Sequence, residues 1–198
     1  MGSNGRVEEQ DIFGDEDFIF NMAQGQRAPE RENNILDGYV VLDEDMITFK
    51  KVRILEGNMT IIMPEAHEVM TEEMSKGRYG AEDRPDVTYT FYGNDINFAL
   101  SYKNGLPSED EDIPGVKDLV ERMVMRSFPG SKVIDSATVQ GSGRTVGYFD
   151  FASEVYNLIF FFSFGENLVM GSFECYKTCM NDWKPLFLQM IGSMEDVP

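Results

Sequence analysis

The sequence predicts an α+β fold: a largely antiparallel sheet of six to eight strands flanked by two main helices, an αβα-type sandwich. Three observations carry this. Short apolar runs with period-two alternation are separated by Gly, Asn and Asp turns rather than by crossover helices, which makes neighbouring strands antiparallel. Two segments with helical spacing stand apart from these runs, at 116–128 and 181–194. The chain has 198 residues, 42% of them hydrophobic and 12% aromatic, enough for one ordinary domain to bury a core.

Residues 47–55 and 59–63 read as the first hairpin, joined through Glu56, Gly57 and Asn58, of which Gly and Asn tolerate a positive φ. A polar connector follows over 64–85, with Met63, Val69, Met70 and Met74 as its points of attachment. A second hairpin, 88–92 and 96–102, turns around Gly93, Asn94 and Asp95. In its later strand Ile96, Phe98 and Leu100 alternate with Asn97, Ala99 and Ser101, which predicts one buried face. The loop 104–114 carries four consecutive carboxylates, 109–112.

The helix at 116–128 gathers Val116, Leu119, Val120, Met123, Val124 and Phe128 on one stripe, with Lys117, Asp118, Glu121, Arg122 and Arg126 turned away. Four strands come next, at 132–140, 145–155, 157–164 and 168–176, with Gly-rich turns at 141–143 and 165–167. The closing helix begins at Asn181 or Asp182 as its cap, has Pro185 in its first turn, and carries Trp183, Leu186, Phe187, Met190, Ile191 and Met194 on its apolar stripe.

Charge divides the chain. There are 35 acidic and 17 basic residues, a net −18. Residues 1–46 hold 12 acidic and 3 basic residues, half of that net charge. Residues 1–34 sustain no period and are expected to form an acidic, flexible N-terminal arm, followed by a single domain over 35–198. The arm reads either as a solvated tail or as a docking segment in which Phe13, Phe18 and Phe20 anchor and the carboxylates steer. Such acidity excludes general nucleic-acid binding, which needs clustered Lys and Arg, and disfavours anionic membrane surfaces. No apolar run approaches the length of a membrane span. Two cysteines among 198 residues suit a reducing compartment, so a cytoplasmic protein is expected.

The candidate chemistry is thin. The stretch 141–147 has three glycines but neither the spacing nor the following helix of a phosphate loop, and reads as a hairpin turn. The acidic runs lack the alternating ligands, central glycine and closing glutamate of a calcium loop. His67 stands alone, and Cys175 and Cys179 are not spaced as Cys-x-x-Cys; two structural thiols are expected, a bonded pair being the other reading. No catalytic residue, metal site or cofactor follows from these.

The aromatic strands say more. Between 145 and 156, Phe149, Phe151 and Val155 share one face, while Val146, Tyr148, Asp150, Glu154 and Tyr156 share the other. In 157–164 both faces are apolar. Either this is a central strand covered on both sides, or part of one face is open. In the open case Tyr148, Asp150, Glu154, Tyr156 and Glu174 would frame a partner-binding surface.

The order of elements over 47–195 resembles the PsbP-like fold family. The segment 95–101, the helix after the Pro-bearing loop, the hairpin 133–155, the strand start at Tyr156 and the final Trp-bearing helix carry the likeness. That fold is shared by PsbP of photosystem II, a Ran-binding nuclear-import factor and bacterial proteins of unassigned function. The resemblance implies a non-enzymatic module that binds other proteins or assists their assembly and export. The expected function is therefore adaptor-like docking of a basic or amphipathic protein segment. The alternative is a small-molecule-binding protein or enzyme that uses the cleft between sheet and helix.

Overall fold

A computed structural model describes residues 33–80, 84–91, 96–103, 105–106, 109–141 and 143–197. The acidic arm, with Phe13 and Phe18, and the turn at 93–95 lie outside the described residues.

The α+β architecture is borne out: the described residues form two antiparallel sheets and three helices. The larger sheet has seven strands in the order β4-β5-β6-β10-β9-β8-β7: β4 Glu68–Val69, β5 Val87–Phe91, β6 Ile96–Lys103, β7 Val133–Gly141, β8 Arg144–Ala152, β9 Val155–Phe164 and β10 Asn167–Tyr176. The first hairpin does not join it. β1 Tyr39–Leu42, β2 Asp45–Ile54, β3 Met59–Pro64 and β11 Glu195–Asp196 build a separate four-stranded sheet. Period-two spacing identifies a strand but not the sheet it enters. In β2 and β3 the residues Ile47, Phe49, Met59, Ile61 and Met63 point into the core, while Lys50 and Lys51 face water.

Two local expectations are corrected around that hairpin. Its connection is a 3-10 turn, Leu55–Gly57, in which Leu55, Glu56 and Gly57 have positive φ while Asn58 is right-handed. Leu55 accepts that conformation while its side chain is buried in the core, so burial outweighs local preference. The polar connector contains a helix, α1 Glu72–Arg78, capped by the Thr71 hydroxyl, which accepts from the Met74 amide at 3.3 Å. Met70 is buried, but Val69 and Met74 are exposed.

One face of the large sheet, with Tyr89, Phe98, Leu100, Tyr156, Leu158, Phe160, Val169 and Phe173, meets the small sheet and α3 Met180–Gly192 in the main core. Its rings stack in series: Phe98 on Phe173 at 4.6 Å, and Phe173 on Phe187 of α3 at 4.5 Å between centroids. Gly171 lies opposite Phe160, and a Cβ there would fall 2.0 Å from that ring. The other face is covered over β8 and β9 by α2 Ile113–Ser127, through Ile113, Val116, Phe149, Phe151 and Phe161. Both faces of β6 are buried, Asn97, Ala99 and Ser101 included, contrary to the single buried face that its alternation predicts. Polar spacing is ambiguous here, because small polar side chains fit inside a three-layer sandwich when they find partners.

α3 starts earlier than its residues suggest. A 3-10 turn, Lys177–Cys179, leads directly into Met180, and Cys179 at the cap position makes no side-chain capping bond. Pro185 thus lies inside the helix rather than in its first turn, and removes one backbone donor there.

Candidate functional site

Of the two readings of this face the covered one holds over Tyr148, Asp150 and Tyr156, and these residues are wired together. Tyr148 and Asp150 on β8 and Tyr156 on β9 all point toward α3, and all three are buried. Asp150 is fully buried. Its Oδ2 accepts a hydrogen bond from the Tyr156 hydroxyl at 2.6 Å and lies 2.8 Å from Lys184 Nζ. Asp135 of β7 stands directly across from Asp150 in the strand pairing, and its Oδ2 accepts from Tyr148 Oη and Lys184 Nζ, both at 3.2 Å. Two carboxylates facing each other across a strand pair repel. The Lys184 ammonium bridges them, and the bridge fastens the first half of α3 to β7 and β8 at once.

The electrostatics are those of a brace. Burial, then the charges of Asp135 and Asp150, holds the Tyr148 phenol well above its ordinary range. Burial, with Asp150 second, does the same to Tyr156 more strongly. Burial, with Cys179 second, pushes the Cys175 thiol up to about 12, so it is a core sulfhydryl and not a nucleophile at neutral pH. Both cysteines are free. One atom is unsatisfied: Asp150 Oδ1 has no hydrogen-bond partner among the described residues.

The remaining predicted site residues lie elsewhere. Glu154 is exposed in the turn between β8 and β9. Glu174 projects from the opposite face of the sheet, where its Oε2 accepts from Arg78 at 2.7 Å. The five described residues therefore form no single surface. Sequence reasoning missed Lys184 and Asp135. A signal existed: Lys184 lies three residues before Phe187 and seven before Ile191, on the apolar stripe of α3, where a cation requires a buried counter-charge.

Other polar candidates also have structural partners. Asp110 Oδ2 accepts from the Thr145 amide at 3.1 Å and its hydroxyl at 3.3 Å, tying the acidic loop to β8. His67 Nδ1 is 2.8 Å from the Pro64 carbonyl and its ring meets Tyr89 edge-on. Arg144 is buried over the Phe162 ring and pairs with Asp196 at 2.6 Å. Among the described residues no group of three His, Cys, Asp or Glu is placed to hold a metal ion, and no helix is long and apolar enough to cross a membrane.

An exposed apolar surface lies on the opposite side of the large sheet from α3. α2 buries Ile113, Val116 and, unexpectedly, Lys117, whose stem passes over Gly147; a Cβ on that glycine would stand 3.1 Å from both Ile113 and Lys117. The Lys117 ammonium reaches out to Ser136 at 2.6 Å and Asp118 at 2.7 Å. This rotation carries half of the predicted apolar stripe outward. Leu119 is 44%, Met123 56% and Phe128 42% exposed, and Ile134 on the following strand is 50% exposed. Arg122 and Arg126 share this outward face, and neither makes an ion pair within 4.0 Å among the described residues. Residues 113–134 carry four basic and two acidic side chains, net +2 in a chain of −18.

No protein-family model and no curated protein matches this sequence. Among solved structures, the cyanobacterial PsbP of Synechocystis sp. PCC 6803 matches with a TM-score of 0.57 at 13% identity, over 79% of this chain and 97% of that one. The Ran-binding protein Mog1p of Saccharomyces cerevisiae aligns at 0.42 and 14% identity, over 75% of this chain and 95% of its own. A Pseudomonas aeruginosa protein of unknown function aligns at 0.40 and 12%, over 76% and 96%. With its seven-stranded antiparallel sheet between α2 and the layer of α3 and the small sheet, the chain has a PsbP-like fold.

Proposed function

We propose that this domain is a non-catalytic protein-binding module, and that its contact surface is the outward face of α2 with the start of β7. One observation carries the reading: Leu119, Met123, Phe128 and Ile134 stand exposed beside Arg122 and Arg126. Apolar side chains in water next to guanidinium groups that form no ion pair within 4.0 Å among the described residues suit an amphipathic partner segment that brings its own apolar residues and carboxylates. The cleft between sheet and α3, the place for a small ligand, is filled instead. Tyr156 and Phe173 stack on Phe187, and Trp183 packs against the same ring.

The test is capture of a partner from the native host by the full chain and by surface variants. A stoichiometric partner should be retained by wild type and by Met46→Asp, a control on the exposed face of the small sheet. It should be lost with Leu119→Asp/Met123→Asp at unchanged thermal stability. Equal retention by all three, loss with Met46→Asp alone, or no retained partner would overturn the proposal.

A further inference from the structure

The acidic arm and the α2 face have complementary chemistry. Residues 8–20 carry six carboxylates and no basic side chain, together with Ile12, Phe13, Phe18, Ile19 and Phe20. The outward face of α2 offers the counterpart: Leu119, Met123 and Phe128 for apolar contact, and Arg122, Arg126 and the exposed Lys132 for carboxylates. A second exposed apolar group, Tyr39, Val41 and Met46 on β1 and β2, is flanked by Asp37, Asp43, Glu44 and Asp45, which would repel an acidic segment, and Lys50 and Lys51 of β2 are already paired with Glu65 and Glu195.

Reach is sufficient. The described chain begins at Asn33, which is pinned at the α3 and β1 side: its carbonyl accepts from Gln189 Nε2 at 2.9 Å, and its side chain donates to the Val41 carbonyl at 2.9 Å. Residues 21–32 separate this anchor from the acidic segment. A dozen residues span up to about 40 Å, against a radius of gyration of about 15 Å for a domain of this size, so the segment can round the sheet edge to α2. A tether of that length gives an effective concentration on the order of millimolar. A contact too weak to register between separate molecules is therefore populated within one chain.

We infer that residues 8–20 dock on the outward face of α2 in the same chain, with Phe13 and Phe18 against Leu119, Met123 and Phe128 and the carboxylates against Arg122 and Arg126. The inference rests on the proposed contact face and adds its regulation: the arm occupies the face, and a partner must displace it. An external segment of the same acidic, apolar character would compete directly.

The experiment is site-specific photo-cross-linking in the full chain, with benzoylphenylalanine in place of Phe18 and the products mapped by mass spectrometry. Intramolecular cross-links should concentrate in residues 113–134. They should fall severalfold in about 1 M salt, where the Debye length is about 3 Å, and in Arg122→Glu/Arg126→Glu. Adding Glu16→Arg/Asp17→Arg to that variant should restore them. Cross-links spread over the surface, concentrated on β1 and β2, formed mainly between molecules, or indifferent to the charge reversal would each overturn the inference. If they do so while Leu119→Asp/Met123→Asp still abolishes partner capture, self-docking alone has failed. If capture is also unaffected, the contact face itself is misassigned.

Discussion

Among the described residues, replacing Lys184 with methionine removes the one cation that pairs with Asp150 and leaves a fully buried carboxylate with the Tyr156 hydroxyl as its sole hydrogen-bond donor. At the 2.8 Å separation of this pair the gross attraction is about 6 kcal/mol at an effective dielectric of about 20. Most of it offsets the desolvation of the two ions, so the useful quantity is the cost of removing one partner, about 3–5 kcal/mol for a buried pair. Lys184 keeps 22% of its side chain exposed, which lets water reach the vacated site and places the expected loss near 3 kcal/mol, the lower end of that range. Asp150→Asn is milder. The amide oxygen still accepts from Tyr156, and Lys184 keeps Asp135 at 3.2 Å, so a loss of about 1–2 kcal/mol is expected. The double variant should recover part of the deficit, because neither charge is then stranded.

Urea unfolding at pH 7 reads these differences, with Trp183, the single tryptophan, as the fluorescent probe one residue from the substitution. For a domain of this size the Lys184→Met loss corresponds to a melting-point drop of about 6–12 °C. A loss below about 1 kcal/mol for Lys184→Met would place the pair among exposed salt bridges. A larger loss for Asp150→Asn than for Lys184→Met would refute the asymmetry, and with it the description of Asp150 as the stranded partner.

Three further outcomes are expected. Stability should fall as pH rises above about 9: the unfolded chain then loses protons from its cysteine thiols and, above about 10, from its phenols, while the folded chain keeps those of Cys175, Tyr148 and Tyr156. Each fully buried group contributes up to about 1.4 kcal/mol per pH unit in that window. Tyr156→Phe should flatten the slope measured by urea titrations from pH 8 to 11, and a slope unchanged by it counts against the buried phenol. Gly171→Ala forces the buried Phe160 ring to move from a point 2.0 Å away and should cost about 1–3 kcal/mol; a neutral result by thermal melting would mean that the ring is free to shift. Thiol labelling at pH 8 should modify the partly exposed Cys179 readily and the buried Cys175 only on unfolding; equal rates would contradict the closed core.

The order of strands and the two long helices are legible in the residues because apolar period and turn chemistry are local properties. The hairpin of β2 and β3, the ring-bearing strands β8 to β10, and the helices near 113–127 and 180–192 all follow from them. Two things were not local. That β2 and β3 form a second sheet depends on which core the alternate residues enter, and both options give the same alternation. α1 was hidden because seven residues with a single apolar side chain give no helical period; the Thr71 cap and the pairing of Arg78 with Glu174 of β10 support it instead.

The site shows the same division. Composition and spacing by themselves determined a strongly acidic α+β chain with an acidic N-terminal stretch, an aromatic central sheet and apolar stripes on two helices. Which stripe meets water was decided only by packing. Gly147 lets α2 settle against β8 with Lys117 over the glycine, and this turns Leu119 and Met123 outward. Lys184 of α3 reaches inward to two facing carboxylates, and this turns a predicted binding rim into a buried brace. A helical period specifies that a face is apolar. The roll of the helix on the sheet, set by side chains far away in the chain, selects which part of that face is covered.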